Sequence, residues 1–116
     1  MVASIKPVFR VVGRPTPTGP ILVQVRHDLD LATVPAARAE LAALLADRAT
    51  PASVLLYLGA GRFVDMRGLR LLVETARQVR RRGGDLTVVA APQCLRSMVA
   101  RLDLGDELAL VDRTGT

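Results

Sequence analysis

A chain of 116 residues, half of them hydrophobic, is long enough to bury one core without disulfide or metal staples. Its formal charge of +5 rests on Lys6 and on arginines scattered along the chain, and aromatics make up only 3%, so the stacking platform and basic block of a nucleic-acid binder are absent. The lone Cys94 rules out an internal disulfide and a cysteine-based zinc site.

The N-terminal MVASIKPVFRVV has no apolar h-region, and no run approaches membrane-spanning length. This predicts a soluble, cytoplasmic protein with no membrane partner. Residues 5–12 and 21–26 are short, β-branched and apolar, which predicts two strands. Between them Pro15, Pro17, Gly19 and Pro20 exclude a helix or a central strand, so the segment is a loop. HDLDLAT (27–33) is a second turn, with Thr33 as the expected N-cap and Pro35 in the first turn of a helix reaching about Arg48. Val34, Ala37, Leu41, Leu44 and Leu45 recur at helical spacing on its core face.

After a short break at 49–53, VLLYL (54–58) is a continuous apolar run, as expected of a strand covered on both faces. A helix over 66–82 follows and ends at Gly83-Gly84. DLTVVA (85–90) is a strand, Pro92 opens a shorter helix to about Arg101, and ELALV (107–111) is the last strand. The order β-β-α-β-α-β-α-β predicts a small single α/β domain spanning residues 1–116, with its core over about 5–111. Its sheet is mostly parallel and flanked by helices joined through right-handed crossovers.

The helix over 66–82 is amphipathic. Leu69, Leu72, Val73, Ala76 and Val79 form its core stripe, with Arg70, Glu74, Arg77, Gln78 and Arg81 opposite. Leu71 falls about 135° from the centre of that stripe at 100° per residue, and Met66 lies on its border. Both are therefore expected at the surface, flanked by Arg67 and Arg70, as a candidate contact patch.

Catalytic chemistry has little to rest on. His27 beside Asp28 and Asp30 lacks a nucleophile of triad geometry and reads as a polar turn. Asp28, Asp30 and Asp65 suit Mg²⁺ only if the fold gathers them. GAGRF (59–63) lacks the Lys and Ser/Thr of a phosphate-binding loop. The chain is expected not to be an enzyme and to need no cofactor or metal. Cys94 reads as a small packing residue.

Taken in order, the HDLD turn, VLLYLGAGRFVDMRGL (54–69), a helix ending RRRGG (80–84), LTVVAA (86–91) and PQCLRSMVARLDLGDEL (92–108) resemble the STAS domain family, the anti-sigma-factor antagonists of bacteria. The family turn typically reads G-E-L-D, and here Asp30 matches its last residue. The central signature commonly reads D-L-S-x-x-x-F-x-D-S-S/T-G-L. Phe63, Asp65, Gly68 and Leu69 agree with it in spacing, whereas Tyr57 replaces its first carboxylate.

The resemblance implies a protein-binding switch, with an anti-sigma factor or a GHKL-type kinase-like protein as partner and a homodimer as a further possibility. In the family the serine directly after the aspartate is phosphorylated, and the phosphate adds nearly two negative charges that release the partner. Met66 stands at that position and Arg67 at the next hydroxyl position, so the usual phosphorylation is expected to be absent. Thr75 and Ser97 lie too far away to substitute. Two readings follow from the resemblance. One is a constitutive or differently regulated partner binder that uses Asp30, Asp65, Met66, Arg67, Gly68, Arg70 and Leu71 in transcription control. The alternative is a nucleotide or anion sensor built on Arg62, Arg67 and Arg70 at the helix N-terminus.

Overall fold

The computed structural model describes residues 7–13, 19–46, 53–59 and 61–112. The prolines at 15 and 17, the expected starts and ends at 5–6 and 47–48, and the break at 49–52 lie outside these residues. The elements follow the expected order: β1 (Phe9–Gly13), β2 (Ile21–Val25), α1 (Val34–Ala46), β3 (Val54–Tyr57), α2 (Met66–Arg81), β4 (Leu86–Val89), α3 (Gln93–Arg101) and β5 (Ala109–Val111). They form one five-stranded mixed sheet in the order β1-β2-β3-β4-β5. β1 runs antiparallel to β2, and every later pair is parallel. The expected small α/β domain is what the chain forms.

This strand order decides where the core lies. Each strand pairs with the next one in sequence, so every crossover steps in the same direction. Right-handed crossovers that step one way place all their helices on one face of the sheet. Burial agrees. Val23, Leu56 and Val88 share a register position across β2, β3 and β4, and each is 0% exposed. The neighbouring position, Leu22, Leu55 and Thr87, is only half-buried. VLLYL is therefore not covered on both faces as its apolar run suggests. Val54 and Leu56 face the helices, while Leu55 and Tyr57 occupy the open side.

Leu71 requires the second correction. It is 2% exposed, as buried as Leu69 on the expected core stripe. The wheel assumes that α2 has one buried face, but α2 packs against the sheet, α1 and α3 together. On the α1 side Arg38 bridges to Glu74. Leu71 and Thr75 lie on the flank between Glu74 and the sheet-facing side, so the neighbouring helix buries them. Thr75 is buried with its hydroxyl donating to the Leu71 carbonyl at 2.8 Å, which satisfies the only buried polar side chain among the described residues.

Two further latches hold the frame. Glu40 of α1 accepts from the Val8 and Phe9 N–H groups at 3.0 and 2.9 Å, pinning the start of the edge strand to the helix beside it. At the end of α2, Gly83 takes φ +88°, and the Gly84 N–H returns to the Val79 carbonyl at 3.0 Å. That left-handed step is why the helix stops where glycine begins.

Candidate functional site

Two segments meet beyond the ends of β2 and β3: the 27–33 turn and the 62–65 approach to α2. Their backbones form a short parallel ladder. Leu29 donates to the Phe63 carbonyl at 2.9 Å, and Asp65 donates to the Leu29 carbonyl at 3.0 Å. Leu29 and Val64 point inward at 0% and 1% exposure and anchor the ladder in the core. Cys94 approaches from α3, its Sγ accepting from the Val64 N–H at 3.4 Å. The cysteine thus packs beneath the corner, in keeping with the sequence reading.

The carboxylates of this corner are occupied by backbone donors. Asp28 Oδ1 accepts from the Phe63 N–H at 2.9 Å. Asp30 Oδ1 accepts from Ala32 and Thr33 at 3.0 and 3.1 Å. Asp30 therefore performs the capping role expected of Thr33. The Thr33 hydroxyl instead accepts from the Asp30 N–H at 3.0 Å and donates to the Asp28 carbonyl at 2.5 Å. The Asp30 carboxylate, just ahead of the helix, reaches two orphan N–H groups, where a hydroxyl three residues later reaches back to the turn itself.

Asp65 joins both segments. Oδ1 accepts from the Arg67 and Gly68 N–H groups at 2.8 and 3.0 Å, capping α2. Oδ2 accepts from the Leu31 N–H at 3.1 Å, across the corner. Asp65→Ala is expected to cost about 1 kcal/mol through the lost cap. It should also raise amide exchange at Leu31, Arg67 and Gly68 together, which hydrogen-exchange NMR resolves residue by residue.

Of the residues expected to serve the site, Met66, Arg67 and Arg70 are exposed, Asp30 and Asp65 are half-buried, and Gly68 and Leu71 are buried. Gly68 lies against Leu29: a Cβ placed there falls 2.3 Å from the Leu29 carbonyl oxygen. It is a packing residue that lets the two segments touch. Leu71 is inaccessible from outside.

Beside Met66 the structure brings in Leu31, Phe63 and Leu102, none of which the sequence reading placed at the site. Leu31 is 62% exposed, Phe63 51%, Met66 48% and Leu102 48%. Leu31 is hydrogen-bonded through its N–H to Asp65, Met66 directly follows Asp65, Phe63 precedes it by two residues, and Leu102 lines one groove with Met66. Phe63 had a legible signal, because alternation about the inward Val64 turns its neighbour outward. Leu31 and Leu102 had none, since each lies just outside a helix where neither period applies.

The side chains of Arg67 and Arg70 have no ion-pair or hydrogen-bond partner among the described residues. Also among the described residues, no three His, Cys, Asp or Glu side chains gather as a metal-binding group. No described helix is long and apolar enough to cross a membrane. The corner has the character of a contact surface: apolar side chains and unpaired guanidinium groups on a rigidly bonded backbone.

Comparison with known proteins agrees with this architecture. A search of curated proteins returns no match. The family model described as "Mlab, STAS domain" matches residues 14–112, which includes both segments of the corner and every element from β2 to β5. STAS domains are generally non-enzymatic regulatory domains, and this chain belongs to the STAS domain family.

Proposed function

We propose that this STAS domain is a constitutive protein-docking module in transcription control, resembling an anti-sigma-factor antagonist that lacks the usual phosphorylation. Its partner on this reading is an anti-sigma factor or a related GHKL-type kinase-like protein. One observation carries the proposal. Of the seven large hydrophobic side chains that stand exposed among the described residues, Leu31, Phe63 and Met66 gather around Asp65, and Leu102 adjoins them across a groove. Clustered apolar exposure beside unpaired arginines is the composition of an interface.

In this reading Met66 occupies the phosphoacceptor position of the family. A thioether accepts no phosphoryl group, so the surface keeps its apolar, binding-competent character. Thr75 offers no substitute because its hydroxyl is buried and bonded within α2. Ser97, on α3, is bonded to Gln93.

Met66→Asp places a carboxylate in the surface and imitates part of the charge of a phosphate. It is expected to weaken the complex with the native partner at least tenfold, measured by calorimetry after capture of that partner from the cell of origin. Complex formation should be indifferent to ATP. Labelling of the wild-type chain at this corner by a GHKL-type kinase would overturn the proposal, as would an unchanged affinity of Met66→Asp.

The anion-sensing alternative has less support. A helix N-terminus binds anions through free N–H groups. Here the Arg67 and Gly68 N–H groups already donate to Asp65, whose own charge opposes a second anion. The guanidinium groups of Arg62, Arg67 and Arg70 remain to that reading.

A further inference from the structure

A groove of about 340 Å³ runs beside α2. Met66, Leu69 and Val73 form one wall, and Leu102 and Leu104, just past α3, form the other. On α2 the three apolar positions span two turns, about 10 Å of helix axis. Arg70 stands on the rim between them and is exposed.

The charges of the groove are unevenly matched. Glu74 is paired with Arg38, and Arg77 with Glu107. Arg70 has no such partner among the described residues, and neither does Arg67 one turn ahead of it. Among the residues that line the groove, the unmatched charge is therefore positive. An occupant that complements it must present aliphatic side chains along two helical turns, with a carboxylate beside them.

We infer that the groove between α2 and the segment after α3 seats an amphipathic α-helix of the partner protein, with Leu-type anchors against Met66, Val73 and Leu102 and an acidic residue on Arg70. This rests on the docking reading above and adds the partner's chemistry. A helix laid in a trough contacts it at i, i+3 or i+4 and i+7, which is the spacing that Met66, Leu69 and Val73 present in return. The charge pair sits at the rim, where it sets orientation and partner choice.

The test is an NMR titration of the full chain with two synthetic 15-residue helical peptides. They share one leucine face and differ only in carrying glutamate or lysine on its flanks. The glutamate peptide is expected to shift the amides of Met66, Arg70, Val73, Leu102 and Leu104, and to bind at least tenfold more tightly than the lysine peptide. Arg70→Glu, a change at an exposed position, should reverse that order while leaving the rest of the spectrum unchanged. Equal affinities, shifts elsewhere, or no shifts with either peptide would overturn the inference.

Two control titrations complete the experiment. Concentration-dependent shifts of the same amides without peptide would give the groove to a second copy of the chain and overturn the helix. Shifts with anionic phospholipid vesicles and not with the glutamate peptide would give it to a membrane and overturn the helix equally. The two readings fail separately: if Met66→Asp abolishes the native complex and Arg70→Glu leaves it intact, the corner stands and the groove does not.

Discussion

Leu71→Ala is expected to destabilise the domain by about 3 kcal/mol, the usual cost of a leucine-sized cavity in a packed core. Met66→Ala, in the first turn of the same helix, should fall within about 0.5 kcal/mol of wild type. The contrast is informative because periodicity alone treats the two residues alike, as border and polar-side positions of one amphipathic helix. Burial separates them, at 2% exposure against 48%. Urea denaturation of both variants measures the difference directly. A Leu71→Ala variant as stable as Met66→Ala would mean that α1 does not cover that flank in solution. The Thr75 hydroxyl bond is indifferent to the substitution, because it uses the Leu71 backbone carbonyl.

Gly68→Ala sets two effects of opposite sign against each other. Within a helix, alanine is favoured over glycine by about 1 kcal/mol. The added methyl group would lie 2.3 Å from the Leu29 carbonyl oxygen and 2.8 Å from Leu29 Cβ. The first of these neighbours is backbone, held by donation from Asp65 on one side of a ladder whose other bond runs from Leu29 to Phe63. It cannot swing aside as the end of a flexible chain does. Forcing the two segments apart costs about 3 kcal/mol on the scale of overpacked cores, so the clash prevails and the net loss is about 2 kcal/mol. Gly105→Ala is the control: nothing lies within 4 Å of a Cβ there, and little change is expected. Thermal or chemical unfolding of the pair decides the matter. A neutral Gly68→Ala would show that the 27–33 turn and the start of α2 are not in contact.

The two variants also bear on function in different ways. Leu71→Ala empties space under α2 and leaves the surface of the corner in place. Gly68→Ala moves the corner, because Leu31, Phe63 and Met66 are positioned by the bonds that converge on Leu29 and Asp65. Partner affinity is therefore expected to fall further for Gly68→Ala than for Leu71→Ala at equal loss of stability.

Much of the fold was legible because local signals and the global arrangement agree. The β-branched run at 21–25, the apolar run at 54–57, the 3.6-residue periodicity of α2 and the Gly83-Gly84 stop each act within a few residues, and each of these elements formed where it was expected. The site was legible in part, through the spacing of Phe63, Asp65, Gly68 and Leu69. The capping assignment was not, because Asp30 and Thr33 are both competent caps and the choice depends on which backbone N–H groups lie within reach.

By itself the sequence determined the order and kind of the elements, since propensity, capping and periodicity are properties of neighbours along the chain. Only the tertiary structure decided which surfaces those elements hide. Three crossovers of one hand stepping in one direction leave one sheet face open, so Leu55 is half-exposed in a run that looks wholly buried. A neighbouring helix extends the buried arc of α2 far enough to enclose Leu71. Leu31, Phe63 with Met66, and Leu102 gather at one corner from three separate stretches of chain, and burial by distant partners is written in no single stretch.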